Sequence, residues 1–160
     1  MDITTIIVIG SVVVLLVLVA ILVRGGSGGV FSPYRRKRLI TRHELVMLSK
    51  IRQALRGSEY EVYPQVAMGA VMDIKSGIDP KRRLALRNRF DRKIIDFVIA
   101  DREGFALVLI ELDDSSHSIA KDAERDRLTA SAGYPTLRYR NAKSLRPDRL
   151  RNDIKEAITE

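Results

Sequence analysis

The stretch Ile94–His117, which reads IIDFVIADREGFALVLIELDDSSH, decides the fold of this chain. It holds two apolar runs, residues 94–100 and 106–112, joined by Asp-Arg-Glu-Gly. Short runs rich in Ile, Val and Leu and bounded by polar residues and glycine are typical of strands. Because both runs are apolar almost throughout, we expect both faces of these strands to be covered. The pattern predicts a hairpin inside a small α/β or α+β domain.

Each predicted strand contains one carboxylate, Asp96 in the first and Glu111 in the second. A buried carboxylate is costly unless it is paired, hydrogen-bonded or bound to a metal. If the four-residue connection closes an antiparallel hairpin, Asp96 opposes Leu109, and Glu111 lies on the same face as Asp96. Asp113 follows with the parity of Glu111 and can join the pair. Two or three carboxylates converging at a strand end predict a site for Mg²⁺ or Mn²⁺.

A structural interpretation of the same acids is equally open. Asp96 and Glu111 would then form salt bridges with Arg125 or Arg138. The Asp-Asp-Ser-Ser segment at 113–116 would be a turn and a helix cap. The spacing of the residues does not decide between a metal site and these structural roles.

The sequence on either side of the hairpin predicts the remaining elements. Thr41-Arg42-His43-Glu44 has the pattern of a capping box, in which Thr41 caps a helix and Glu44 bonds back to the cap. Asp79-Pro80 starts a short helix within an otherwise irregular, basic stretch at 69–93. The other predicted elements are a continuation of the first helix to Gly57, a strand at 60–66, a helix at 119–132, a strand at 134–139 and a helix at 147–158. The order is helix, three strands, helix, strand, helix.

The charge of the chain indicates a phosphate-rich partner. It has 28 Lys and Arg against 20 Asp and Glu, a net charge of +8, which suits nucleic acid or anionic lipid. The segment 96–126 is acidic and lies between basic segments, as a metal-dependent phosphodiesterase requires. The residues predicted to contact nucleic acid are Lys81, Arg82, Arg83, Arg87 and Arg89.

The N-terminal segment has the composition of a membrane helix. Ile3–Val23 is almost entirely apolar, and about 20 such residues span a bilayer as a helix. A cleaved signal peptide is the competing interpretation, but it would need a basic start and a small-residue cleavage site. We therefore predict a transmembrane anchor at 1–24, a flexible Gly-Ser linker at 25–33 and one domain at 34–160.

The basic residues beside this segment predict its orientation. Arg24 and the cluster Arg35–Arg38 follow the apolar run, and no Lys or Arg precedes it. Positive charge near a span stays on the cytoplasmic side. The sequence thus predicts a single-pass protein with its N-terminus outside and its domain in the cytoplasm.

Three segments of the chain resemble a known family. They are DFVIAD at 96–101, IELDDSSH at 110–117 and ERDRLTASAGYPTLRYR at 124–140. These segments resemble domain-of-unknown-function family 2726, and the likeness extends over roughly 34–140. The order of elements, with an Asp in the second strand and a Glu in the third, is similar to the restriction-endonuclease-like PD-(D/E)xK superfamily. Family 2726 itself looks like a relative of the very-short-patch-repair endonucleases.

This resemblance implies a fold and a set of site residues. The fold would be a restriction-endonuclease-like domain with an αβββαβ core. Asp96 and Glu111 would be the acids of the metal site, His117 the catalytic histidine, and Glu44 an acid near the metal. The superfamily has a Lys two residues after the Glu, where this chain has Asp113. His117, with an ordinary pKa near 6.5, then becomes the group that moves a proton.

Two functions are consistent with these features. The first is a membrane-anchored, Mg²⁺- or Mn²⁺-dependent endonuclease that hydrolyses phosphodiester bonds of DNA or RNA. The second is a nuclease-derived module that no longer cleaves and binds nucleic acid or another partner at the membrane. Binding of a divalent ion between Asp96 and Glu111 separates them.

Overall fold

The computed structural model describes residues 2–25, 33–113 and 119–159, without the side chains of 22–25 and 119–122. The chain divides into two units, Met1–Lys37 and Arg38–Glu160. The predicted site residue His117 lies outside the described residues, as does most of the segment at 113–116.

The first unit contains one long apolar helix, α1 (Ile3–Gly25). Its window Ile3–Ile21 has a mean hydropathy of 3.0, and none of that window is buried. The hydroxyl of Ser11 donates to the carbonyl of Ile7 at 2.9 Å, so this polar group is satisfied within the helix. The helix therefore has the length and composition of a membrane span, which a signal sequence shares.

The second unit is built on a four-stranded mixed sheet. Its strands are β1 (Glu61–Ala67), β2 (Ile94–Ala100), β3 (Ala106–Leu112) and β4 (Thr136–Tyr139), in the order β1-β2-β3-β4. The first three strands pair antiparallel, and β4 pairs parallel to β3. A parallel pair requires a crossover, which α5 (Ile119–Ser131) provides. The predicted helix, three strands, helix, strand, helix are all present, so the domain is a mixed α/β structure.

Four further helices complete the second unit: α2 (Arg42–Ala54), α3 (Met68–Val71), α4 (Pro80–Arg87) and α6 (Pro147–Thr159). The predicted helix ending at Gly57 is three residues too long, because the last residues form a turn that closes on Gly57 at a φ of 79°. The short helix α3 was not predicted, since its four residues carry no helical periodicity.

Two apolar clusters cover the two faces of the sheet, as the hairpin sequence predicts. On one face, α2 and α6 bury side chains such as Ile51 and Ile154 against Phe97 of β2. On the other face, Val98 of β2 belongs to a cluster that also includes Leu128 of α5. Because Phe97 and Val98 are consecutive, they point to opposite faces. Both strands are therefore buried on both sides.

The register of the β2–β3 hairpin differs from the predicted one. Val98 pairs with Leu109, whereas the prediction set Leu109 opposite Asp96. The register is shifted by two residues in total. One comes from the connection, which is one residue longer than predicted because Ala100 pairs with Ala106, and the other comes from a β-bulge between Ile99 and Ala100. A two-residue shift preserves the alternation of side chains, so the predicted shared face of the two acids is retained.

Candidate metal and phosphate site

Four polar residues form a row across the sheet, one from each strand. The pair Phe97–Ile110 continues by one residue to set Asp96 opposite Glu111. The pairs that flank Gln65 set it opposite Asp96, and Glu111 is paired with Arg138. The row therefore runs Gln65, Asp96, Glu111, Arg138 from β1 to β4.

Asp96 and Glu111 form the buried centre of this row, and we call them the inner pair. Glu111 is 4% exposed, and its carboxyl group is hydrogen-bonded to that of Asp96. Oδ2 of Asp96 also accepts a hydrogen bond from the backbone N–H of Leu112 at 2.8 Å. Burial is the main cause that raises the pKa of both acids, and it raises that of Glu111 to about 8. Glu111 therefore keeps its proton to a higher pH than an ordinary glutamate does, and it can donate that proton to Asp96.

One arginine contacts the inner pair. Nη1 of Arg125 on α5 donates to Oε2 of Glu111 at 2.9 Å and to the carbonyl of Ile94 at 3.3 Å. This guanidinium lowers the pKa of Glu111, but burial and the charge of Asp96 raise it further. The predicted salt bridge between Arg125 and Glu111 is present, and it does not fully offset the rise in the pKa values of the two acids.

Glu44 has a structural contact and an electrostatic effect at once. It completes the predicted capping box, in which its N–H donates to Oγ1 of Thr41 at 3.2 Å and its Oε2 accepts from the N–H of Thr41 at 2.5 Å. Its Oε1 accepts from Nε2 of Gln65 at 2.9 Å. After burial, its charge is among the causes that raise the pKa of Asp96. Glu44 therefore adds a third negative charge near the inner pair, on the side of Asp96.

Gln65 has a backbone conformation that is unusual for a residue other than glycine. Its φ is 55°, in the left-handed region, although it lies inside β1. Such strain costs on the order of 1–3 kcal/mol and concentrates at functional sites. Gln65 was not among the predicted site residues, and the one signal in the sequence is its neighbour Pro64, since proline within a strand indicates an edge or a bend.

Asp113 does not join the inner pair. Its backbone N–H donates to the carbonyl of Tyr139, so it continues the pairing of β3 with β4. Its carboxylate accepts from Nη1 of Arg138 at 2.6 Å, and Nη2 of Arg138 donates to Asp126 at 2.5 Å. We call Asp113 and Asp126 the outer pair. Arg138 engages the third predicted acid, and the described residues contain no group of three acids or histidines able to hold a metal ion.

The predicted nucleic-acid contacts lie on α4 and immediately after it. All five are exposed or half-buried: Lys81, Arg82, Arg83, Arg87 and Arg89. Three of them form ion pairs, Arg83 with Asp73 at 3.2 Å, Arg87 with Asp91 at 3.3 Å and Arg89 with Glu124 at 3.1 Å. This surface therefore has less net positive charge than its sequence indicates.

The donor atoms of the inner pair fit a hard divalent cation. Leu112 engages Oδ2 of Asp96 and Arg125 engages Oε2 of Glu111, so each carboxylate has a second oxygen that these contacts do not use. Mg²⁺ commonly takes one or two carboxylates and retains several waters. A cation between the two acids would replace their shared proton.

Comparison with known proteins places this domain among relatives. The profile of the family described as "Protein of unknown function (DUF2726)" matches residues 36–158. A protein of Haemophilus influenzae described as "Uncharacterized protein" is 28% identical over 105 residues, which are 64% of this chain and 52% of that protein. The chain thus spans about half the length of this relative. No solved structure matches the chain.

Proposed function

The chain belongs to the DUF2726 family, and we propose that it is a membrane-anchored, nuclease-like enzyme that hydrolyses phosphodiester bonds of DNA or RNA with Mg²⁺ or Mn²⁺. The observation that carries this proposal is the inner pair. Two acids oppose each other at the end of buried strands, with raised pKa values and a salt bridge from Arg125 to Glu111. Perturbed acids of this kind concentrate at functional sites.

The topology of the domain supports the proposed nuclease relationship. A helix, three antiparallel strands, a crossover helix and a strand parallel to the third follow one another. Asp96 lies on the second strand and Glu111 on the third, which is the arrangement of the restriction-endonuclease-like superfamily. A fold alone does not fix an activity, so the argument rests on the acids rather than on the fold.

The residues of the chain have distinct parts in this proposal. Asp96 and Glu111 hold the cation, which when bound polarises a phosphoryl oxygen and lowers the pKa of water. Glu44, fixed by Thr41 and Gln65, adds negative charge beside Asp96 and so favours a cation there. The sequence assigns the transfer of a proton from the attacking water to His117.

A second candidate function is a binding module that has lost cleavage. The observation that favours it is Asp113, which stands where the superfamily has a Lys and is bound to Arg138. Such a module would keep the domain and its basic surface and would not need a cation at the inner pair.

We also propose that α1 anchors the chain with its domain in the cytoplasm. The basic residues Arg24 and Arg35–Arg38 follow the apolar helix and favour this orientation. A reporter that is active only in the cytoplasm should be active when fused after Glu160. Activity of a periplasm-specific reporter at the same position would contradict this orientation.

Calorimetric titration of Mn²⁺ into the full chain tests the enzymatic proposal. The wild type should bind one ion, and Asp96→Asn should weaken that binding about a hundredfold or more, because a buried carboxylate ligand is lost. Asp126→Asn is the matched control, since it removes one carboxylate from the outer pair and should bind Mn²⁺ as the wild type does.

Cleavage of labelled DNA and RNA then separates the two candidate functions. His117→Ala should bind Mn²⁺ normally and lose cleavage, because its assigned part is proton transfer. If the wild type binds nucleic acid and releases no heat with Mn²⁺, the enzyme proposal fails and the binding module stands.

A further inference from the structure

A basic cleft opens where β4 ends and α6 begins. Its volume is about 510 Å³, and none of the described residues that line it is acidic. The polar side chains of its lining come from Arg138, Tyr139, Arg140, Asn141, Ser144, Arg146 and Arg149, and the Tyr139 hydroxyl donates to Asp153. We call it the arginine cleft.

Most of the positive charge of the arginine cleft is not neutralised. Arg140 and Arg146 are exposed, and no acid within 33–113 or 123–159 lies at ion-pair distance from either. Arg149 is 72% exposed and only 3.8 Å from Asp153, a separation at which an exposed pair contributes little. The cleft thus differs from α4, where three of the five basic residues are paired with acids.

The donors of the arginine cleft match phosphate. A guanidinium presents N–H groups in a planar fork that binds phosphate oxygens in a bidentate manner. Oδ1 of Asn141 already accepts from the N–H of Lys143 at 2.9 Å, so its amide NH₂ group is the part that can donate into the cleft. A lining that is rich in N–H donors and has no acidic side chain is the lining expected for a polyanion.

Arg138 connects the arginine cleft to the inner pair. It lines the cleft, it is paired in register with Glu111, and its three guanidinium nitrogens donate to Asp113 and Asp126. A phosphate chain seated in the cleft would therefore pass beside the strand end that carries the inner pair.

We propose that the arginine cleft binds backbone phosphates of the nucleic-acid strand, next to the phosphodiester that reaches Asp96 and Glu111. This inference rests on the proposed function, since it assigns the substrate contacts of that same site. Arg140 and Arg146 supply the exposed charges. Arg138, held by the outer pair, forms the boundary between the cleft and the acids.

Fluorescence anisotropy with a labelled oligonucleotide tests the cleft. The full chain is kept in neutral detergent with a chelator present, so that binding is measured without cleavage. The double variant Arg140→Ala/Arg146→Ala should bind about tenfold or more weakly than the wild type. Its plot of log affinity against log salt should become shallower by about 1.4–1.8, because each lost phosphate contact removes about 0.7–0.9 from the slope.

Two further double variants make this measurement specific. Arg102→Ala/Lys155→Ala removes the same charge from exposed positions outside the cleft, at the β2–β3 turn and the second half of α6. It should retain nearly all of the affinity. Equal losses in this control and in the cleft variant would overturn the proposal, because net charge alone would then explain binding. A larger loss in Lys81→Ala/Arg82→Ala would also overturn it, by assigning the contact to α4.

Lipid headgroups contain phosphate as well, so the assay includes detergent micelles doped with short-chain phosphatidylglycerol. If the cleft binds nucleic acid, this lipid should leave oligonucleotide affinity nearly unchanged. Displacement of the oligonucleotide from the wild type, and not from the cleft variant, would assign the cleft to lipid and overturn the proposal.

The Mn²⁺ titration shows whether a negative result concerns the arginine-cleft proposal or the enzyme proposal. Both the wild type and Arg140→Ala/Arg146→Ala should bind Mn²⁺ equally, because neither arginine contacts the inner pair. Normal Mn²⁺ binding with unchanged oligonucleotide affinity in the cleft variant would overturn the cleft alone. Cleft-dependent oligonucleotide binding without Mn²⁺ binding would leave the cleft supported and the enzyme proposal refuted.

Discussion

The inner and outer pairs of acids lie near the same strand end and differ in how their charge is compensated. Both members of the outer pair contact Arg138, at 2.6 and 2.5 Å. Burial lowers the pKa of Arg138, but the two carboxylates outweigh it and raise that pKa above its usual value. The inner pair is more buried, and only Glu111 forms a salt bridge, with Arg125 at 2.9 Å.

The two pairs therefore differ in role: the outer pair stabilises the fold, whereas the charge of the inner pair is not fully compensated. The outer pair closes a structural contact between β3, β4 and α5 through one shared guanidinium. The inner pair has to share a proton, and Glu44 adds a further negative charge beside it. Incomplete compensation, rather than the number of carboxylates, is the reason for proposing the inner pair as the cation site.

Replacing each arginine in turn should give the largest measurable difference between the two pairs of acids. Arg138→Met keeps most of the apolar stem and leaves two carboxylates without their partner, so it should lower the free energy of unfolding by about 2 kcal/mol. Arg125→Met should cost about 1 kcal/mol or less, because Glu111 already keeps its proton and bears less charge. Chemical denaturation of the two variants at neutral pH measures both values.

Which of the two variants loses more free energy of unfolding tests the proposed difference between the pairs. A larger loss in Arg125→Met than in Arg138→Met would mean that the inner pair is ionised and held by its salt bridge. The distinction between the two pairs would then be wrong. Mn²⁺ should still bind to both variants, since each retains Asp96 and Glu111.

The strands and the shared face of the acids were predictable from the sequence, because apolar runs and period-two alternation are local. The bounds 94–100 and 106–112 and the capping box at Thr41 were predicted correctly. The register shift between Ile99 and Ala100 was not, since nothing in the apolar run at 106–112 marks Leu107 as the residue without a partner. Together with a connection one residue longer than predicted, this shift moved the partner of Asp96 from Leu109 to Glu111, and the total shift of two residues preserved the shared face.

The partners of the acids could not be predicted because they depend on long-range contacts. Asp113 was assigned to the metal by parity, yet Arg138, distant in sequence, binds it. The strained Gln65 contacts Glu44 and so joins β1 to α2. Such a contact cannot be predicted from the periodicity of the sequence. The arginine cleft arises because the end of β4 meets the start of α6, whereas the sequence drew attention to the denser basic run on α4.

A smaller effect is expected in the pH dependence of the free energy of unfolding without metal, and it tests the inner pair alone. Burial raises the pKa of Glu111 from its usual 4.5 to about 8 in the folded chain. Between these values the unfolded chain has lost the proton that the folded chain keeps, so the free energy of unfolding falls as the pH rises. The raised pKa of Asp96 acts in the same direction.

Glu111→Gln isolates this effect, because glutamine has the shape of the protonated acid and cannot lose the proton. Near pH 5 the variant and the wild type should be about equally stable. Towards pH 9 the variant should become the more stable by at least about 1 kcal/mol, since one pKa unit corresponds to about 1.4 kcal/mol. Asp126→Asn, from the outer pair, should show no such crossing. If chemical denaturation across this range gives parallel curves for wild type and Glu111→Gln, Glu111 is already ionised in the fold, and the inner pair is compensated as fully as the outer one.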